Sequence, residues 1–250
     1  MYLVKMSANA LRILFITYQG GMAGSTHSIV YLAKGLADKG HAIYVGIRKE
    51  MPIWELTEYP GITRVPMQIR GKFDFQNWAE IRDIVRKEGI QIINAQSSHD
   101  RFTSIFAKLR FSLPVHIVHT RRQNPLSSLG WFHTFINSNF TSGIVVISEG
   151  LKQIFIEKGY PEDHLKVIHN GIPSQRLKKW NQERVDQFRA SLDIQENDKI
   201  VGCISRLKEQ EQLIAAVAKM NDSNIRLVFA GVSNEQMHPI LQKYFQHNAI

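Results

Sequence analysis

The sequence lacks most of the features that would announce a function at once. It has one cysteine, Cys203, so neither a disulfide framework nor a thiolate zinc cage can be built. That residue sits in the apolar run Ile200-Val-Gly-Cys-Ile204 and reads as a buried, inert thiol. No apolar run approaches the length of a membrane span, and the N-terminus has no secretory pattern. No block of five or more like charges occurs, and no aromatic–glycine signature of an RNA-binding sheet, which leaves no case for nucleic acid as partner. A P-loop needs a lysine beside its hydroxyl residue, whereas Ser25-Thr26 follows Gly24. The dinucleotide fingerprint needs a glycine where Gln19 stands and an acidic residue after the second strand, where Arg48 and Lys49 stand instead. Those two cations keep a dinucleotide with a 2′-phosphate open as a ligand.

What is present begins with a strand, a glycine loop and a helix. The apolar run Leu11-Arg-Ile-Leu-Phe-Ile-Thr17 leads into Gly20, Gly21 and Gly24, then to Ile29, Leu32, Ala33 and Leu36 at helical spacing. Such a junction turns unpaired backbone N–H groups and the positive end of a helix dipole toward one spot, where a phosphate is stabilised. Glycines suit the loop because they accept positive φ and let a ligand approach the backbone. The net charge of +9 is dispersed over several predicted helices, which suits phosphorylated substrates or an acidic membrane face.

Along the chain, strands and helices alternate. Ile- and Val-rich strands are predicted at 12–17, 42–46, 62–66, 90–94, 115–118, 143–147 and 165–168, with little polar alternation, as in a sheet covered on both faces. Helices are predicted at 25–39, 75–87, 102–109, 129–139 and 149–158, three of them stopped by Gly40, Gly89 and Gly159. The pattern is that of an α/β, doubly wound, Rossmann-like domain over residues 11–173, preceded by a loosely ordered extension at 1–10. A polar, basic linker and connecting helix occupy 174–198. A second βαβα set then restarts over 199–250, with strands at 199–204 and 226–230, and helices at 209–220 and 235–247. Two strands do not complete a doubly wound sheet, so this second domain is expected to be truncated. At helical spacing Trp131, Phe132, Phe135 and Phe140 are expected to pack into the core.

The order of these pieces resembles retaining glycosyltransferases of family 4, which have the GT-B fold of two Rossmann-like domains. The resemblance runs from about Arg12 to Ala230. It rests on the opening strand with Gly20-Gly21, on Leu32-Ala-Lys-Gly-Leu-Ala-Asp-Lys-Gly-His41, on Val145-Val-Ile-Ser-Glu149, on Val167-Ile-His-Asn-Gly171 and on Ser205-Arg-Leu-Lys208. It implies that Gly20 and Gly21 lie near the donor phosphates, and that His119, following the fifth strand, sits close to the transferred sugar as a catalytic group. His99, also at a strand end, and Arg121, beside Arg122, become candidates for binding the acceptor. In the second domain the family holds the donor diphosphate with an Arg and a Lys. Arg206 matches the Arg, whereas the familiar Lys spacing lands on Glu211, and Lys208 fits only with a shortened loop. Glu149 follows Ser148, a good N-cap, so helix capping accounts for it as well. His169 stands where the family often has proline. The family's pair of glutamates for the donor sugar and ribose belongs downstream of Ile250, which implies that these 250 residues alone are a poor catalyst.

The resemblance therefore implies transfer of a sugar, with retention, from a nucleotide-diphosphate donor to a glycan or lipid-linked acceptor in cell-envelope polysaccharide or glycolipid synthesis. The nucleotide sugar is a co-substrate, and no cofactor or metal is expected. A cytoplasmic location follows, peripheral at the inner face of the membrane. Two other readings stay open. One is an NADP-dependent oxidoreductase, although Tyr31 and Lys34 stand one residue short of catalytic spacing. The other is a nucleotide-sugar-binding piece without activity.

Overall fold

The computed structural model describes residues 10–124, 130–177 and 180–245. Residues 1–9 of the extension expected at 1–10, and the predicted helix ends at Leu129 and His247, lie outside them. The chain divides into two compact units, Met1–Leu177 and Lys178–Ile250.

The first unit is built on a seven-stranded sheet whose order is β3-β2-β1-β4-β5-β6-β7, every neighbouring pair parallel. Its strands are β1 (Arg12–Ile16), β2 (Ala42–Ile47), β3 (Ile62–Pro66), β4 (Ile92–Ala95), β5 (His116–Arg121), β6 (Gly143–Val146) and β7 (Leu165–Val167). The intervening helices are α1 (Gly24–Asp38), α2 (Ile53–Leu56), α3 (Phe75–Glu88), α4 (Ser98–Phe111), α5 (Gly130–Phe140) and α6 (Glu149–Glu157). The order runs outward from β1 to β3, then returns to β4 and continues the other way. Right-handed crossovers therefore put α1 and α2 on one face and α3 to α6 on the other.

The packing follows that division. Ile13, Phe15, Ile43 and Val45 meet Ile29, Val30 and Ala33 of α1 on the first face. Leu14, Ile16, Ile93 and Ile117 meet Ile81 and Val85 of α3 and Ile105 of α4 on the second. Alternate residues of one strand thus enter different cores, which explains the continuous apolar runs. Over β5 to β7 the first face carries none of these helices. Val145, Ile147 and Ile168 there floor a groove of about 860 Å³.

Two predicted boundaries that bear on the site move, each for a local reason. Helix α4 begins at Ser98 rather than Phe102, because Ser97 and Asp100 form a capping box one turn earlier. Strand β5 runs to Arg121 rather than ending at Val118, since Thr120 and Arg121 pair with Val145 and Val146 of β6. The short helix α2 was not foreseen. The aromatic stripe of α5 also points the other way: Trp131, Phe132 and Phe135 are 80, 45 and 53% exposed, and only Phe140 packs on the core. The buried side of α5 is Ile136 with Asn137, whose amide donates to the Tyr160 hydroxyl at 2.8 Å.

The second unit holds α7 (Gln182–Ser191), β8 (Lys199–Ile204), α8 (Gln210–Met220), β9 (Ile225–Ala230) and α9 (Asn234–Tyr244), with β8 and β9 parallel. Glu211 of α8 accepts from Lys243 at 2.5 Å and from the Tyr244 hydroxyl at 2.9 Å, which ties α9 to α8. Gly231 has φ of +90°, and a Cβ there would stand 2.9 Å from the Ser205 carbonyl oxygen, so the turn after β9 accepts no larger residue without strain.

Ile93, fully buried in the middle of the large sheet, offers a direct measure of this core. Ile93→Ala is expected to lower the unfolding free energy of the first unit by about 2–5 kcal/mol in denaturant titration. A loss below about 1 kcal/mol would contradict the packing described.

Candidate functional site

In a sheet of this order the strand direction of travel reverses between β1 and β4, and the crevice at their carboxyl ends is where open α/β sheets take ligands. The loop after β1 and the start of α4 meet there. The Tyr18 N–H donates to Asp100 Oδ1 at 2.7 Å, and the Ser97 N–H donates to Asp100 Oδ2 at 2.9 Å. Asp100 is fully buried, and desolvation raises its pKa to about 6 although these N–H groups favour the charged form. The Tyr18 ring stacks on His99 with centroids 4.6 Å apart, and the Arg48 guanidinium lies over the Tyr18 ring, 5.3 Å from its centroid. Arg48 also donates to the Tyr18 carbonyl at 3.3 Å, so the cation weighed as a seat for a 2′-phosphate is engaged with the loop.

The glycine loop is built for a different reason from the one expected. Gly20 has no positive φ, and a Cβ on it would meet Ile53 at 2.6 Å and Met51 at 2.8 Å. The residue is required by packing against α2 and its approach. Gly21 has open space where a Cβ would stand. Thr26 turns its hydroxyl back to the Gly21 carbonyl at 2.5 Å. Helix α1 opens after Ala23 without a side-chain cap and without an acidic residue in its first turn, so its leading N–H groups are left for another partner.

His99 and His119 are both displaced from their expected places. His99 lies in the first turn of α4, not at a strand end, and its pKa is lowered by burial and by Lys72. His119 lies inside β5, level with Ala95 and Ile144, and is fully buried. Its Nδ1 is 2.7 Å from an Arg101 Nη1, an arrangement in which the ring nitrogen accepts and the guanidinium donates. Burial first, then Arg101, Arg121 and Arg122, hold its pKa well below the ordinary imidazole value, so the ring is neutral. Arg121, at the end of β5, donates to Ser98 Oγ and to the Asn124 carbonyl, each at 3.2 Å. Arg122 points to the other sheet face. There it donates to Gln96 Oε1 at 2.7 Å and to Ser28 Oγ at 3.3 Å, while Ser28 donates to Asn170 Oδ1 at 2.8 Å.

Arg206 and Lys208 lie in the loop between β8 and α8 of the second unit, both exposed. The buried side chain of Gln210 shapes that loop: its amide donates to Ser205 Oγ and to the Arg206 carbonyl, and its oxygen accepts the Lys208 N–H. Glu211, where the family's Lys spacing would fall, is committed to Lys243 and Tyr244. Ser148 caps α6 by accepting the Leu151 N–H at 3.2 Å, as its position before Glu149 implied. Among the described residues no cluster of His, Cys, Asp or Glu could hold a metal ion.

Tyr18, Asp100 and Arg101 were not singled out by sequence reasoning. The Ser97-x-x-Asp100 spacing carried the signal for Asp100. Arg101 became invisible once the helix was taken to begin at Phe102.

Two measurements test this geometry. Gly20→Ala is expected to destabilise the first unit by about 1–3 kcal/mol through the clash with Met51 and Ile53. Gly21→Ala is expected to stay within about 0.5 kcal/mol, so equal effects would refute the packing role of Gly20. The Asp100 carboxyl, followed by carbon NMR, is expected to titrate near pH 6. In the window between its unfolded value, about 3.9, and 6 the folded state keeps a proton the unfolded chain has released. Stability should therefore fall as pH rises through that window, and Asp100→Asn should flatten the slope. Titration at or below pH 4 would contradict the burial described.

A family model described as Glycosyltransferase Family 4 matches residues 22–176, more than half of the chain. Among solved structures, a glycosyltransferase from Rickettsia africae ESF-5 is similar at 19% identity and a TM-score of 0.76, over 94% of this chain and 67% of that one. Anabaena Alr3699/HepE in complex with UDP and glucose is similar at 19% identity and a TM-score of 0.70, over 94% of this chain and 65% of that one. Sucrose-phosphate synthase from Thermosynechococcus elongatus follows at 16% identity and a TM-score of 0.65, over 94% and 68%. The chain thus spans about two thirds of the length of these structures. At these identities the likeness concerns the fold. No curated protein matches the sequence. With the family model covering most of the first unit and the same α/β architecture in these neighbours, the chain belongs to Glycosyltransferase Family 4 and has the GT-B type of fold.

Proposed function

We propose that the chain serves a glycosyltransferase that moves a sugar from a nucleotide-diphosphate donor to a glycan or lipid-linked acceptor, with retention, in envelope polysaccharide or glycolipid synthesis. The observation that carries this reading is the family match over residues 22–176, which takes in α1, β4, α4 and β5 beside the β1–β4 crevice. In this reading Gly21 and the uncapped N-terminus of α1 face donor phosphate, with Gly20 holding the loop against α2. Arg206 and Lys208 hold the donor diphosphate, and their charge offsets the negative charge that develops on the leaving group, in place of a metal ion. His99 and Arg121 serve the acceptor. His119 exposes no atom and carries no charge, so its part is to hold Arg101 rather than to touch the sugar.

Peripheral contact with the inner face of a membrane is supported by the outward aromatic side chains of α5 and by the basic charge of the chain. None of the described helices is long and apolar enough to cross a membrane. Nothing in the geometry favours the dinucleotide reading, since Arg48 is engaged with Tyr18.

The Arg206 assignment has a direct test. With UDP-glucose, the ligand in one Anabaena HepE complex, as the probe, Arg206→Ala is expected to weaken binding by about 1.5–3 kcal/mol in calorimetry. Unchanged affinity would remove Arg206 from the donor site.

A further inference from the structure

Beneath the N-terminal end of α4, on the sheet face covered by α3 to α6, positive charge is gathered without an ion pair among the described residues. Arg101 is only 4% exposed, and Arg121 is half-buried beside it. Both act on the buried His119 ring, and the charge of Arg121 also opposes that of Arg101. Among the described residues every ion pair lies elsewhere, on surface Arg64, Arg82, Lys87, Lys152, Lys199, Arg226 and Lys243. The acidic groups that act on the two guanidiniums are the Tyr160 phenol and, at Arg101, Asp100. Asp100 already spends both oxygens on the Tyr18 and Ser97 N–H groups. The segment 125–129, which follows β5, contains no carboxylate in its sequence Pro-Leu-Ser-Ser-Leu.

The hydrogen-bond inventory points the same way. Arg101 Nε, Arg121 Nε, His119 Nε2 and His99 Nε2 are all buried and unpartnered. Arg101 and His119 are each more than nine-tenths buried. Burying cationic and polar groups unpaired is costly, and a fold retains such a group where a ligand completes it. A guanidinium offers a planar fork of N–H donors matched to two oxygens of a phosphate.

We propose that Arg101 and Arg121 form an oxyanion pocket that takes a phosphate group carried by the sugar acceptor, so that the acceptor of this enzyme is a phosphorylated molecule. The proposal rests on the glycosyltransferase reading for the word acceptor, and on the arginine cluster alone for the anion. Arg121, at the rim, makes the first contact, exchanging its bond to the Asn124 carbonyl for phosphate oxygens. Arg101 supplies charge from beneath and is held by His119 at 2.7 Å.

The test is thermal unfolding of the chain in inorganic phosphate against sodium chloride of equal ionic strength. With a Kd on the order of 1 mM, 20 mM phosphate is expected to raise the Tm by about 3–6 °C over chloride. The rise should vanish in Arg121→Gln and survive in part in Arg121→Lys. In the unsubstituted protein phosphate should also shift the His99 ring resonances, a readout that needs no variant to fold. Glucose 6-phosphate stabilising at least as well as phosphate, with glucose inert, points to a soluble phosphosugar. Loss of the phosphate effect on vesicles of phosphatidylglycerol, but not of phosphatidylcholine, points to a lipid-borne phosphate. An equal Tm in chloride, a rise retained in Arg121→Gln, or a rise erased by saturating UDP would overturn the proposal. The last would assign the pocket to the donor. None of these readings requires turnover, so failure of the transferase reading, seen as no binding of any nucleotide sugar, is distinguishable from failure of the pocket.

Discussion

The carboxyl group of Asp100 is the point on which the crevice depends. Its two oxygens take N–H groups from the loop after β1 and from the cap of α4, two segments far apart in sequence that a parallel sheet brings side by side only at the β1–β4 reversal. Without it, the Tyr18 N–H and the Ser97 N–H would lose their partner, and α4 would lose its capping box. Tyr18 in turn stacks on His99 and lies beside Arg48, so the segments that follow β1, β2 and β4 each contribute a residue to one connected arrangement. The cost of burying the carboxyl is visible in its raised pKa. The crevice is therefore a polar structure maintained against desolvation, which a fold with no use for it would replace by apolar contact.

The same physics divides β5 between two roles. Because side chains alternate, Ile117, His119 and Arg121 enter the face under α4, whereas Thr120 and Arg122 enter the face with the open groove. Arg122 meets neutral partners, Gln96 and Ser28, and links them to Asn170 at the end of the first unit. Arg121 meets Ser98 and a carbonyl, with its Nε left over. Two adjacent arginines thus read different surroundings, and only the pair of Arg121 with Arg101 concentrates charge in one place.

Most of the fold was legible because a doubly wound sheet writes itself strongly. Buried parallel strands are apolar throughout, and Gly40, Gly89 and Gly159, each with positive φ, mark helix ends in sequence as in space. The site was less legible because its geometry turns on one-turn shifts. Beginning α4 at Phe102 made His99 a strand-end residue and concealed Arg101. Ending β5 at Val118 placed His119 in a loop, when pairing with β6 carries the strand two residues past it. Periodicity finds the apolar stripe of a helix, but on α5 there are two, and the core took Ile136 and Phe140 with the polar Asn137 between them. Asn137 can be buried because Tyr160 accepts its amide, a pairing between distant segments that no local window contains.

Gly20 shows how a glycine can be demanded by packing where the sequence suggests a ligand. A glycine after the first strand suggests ligand approach, yet here the hydrogen at Cα is demanded by Met51 and Ile53, which pack where a methyl group would go. The Ile53 N–H donates to the Gly20 carbonyl at 3.1 Å, so the short helix α2 is fastened to the loop at the same residue. The loop is held from behind by α2, while at Gly21 the space is open. Backing by packing on one side and freedom on the other is what a phosphate-facing loop needs: its N–H groups must be fixed before the anion arrives, since ordering them afterwards would be subtracted from binding.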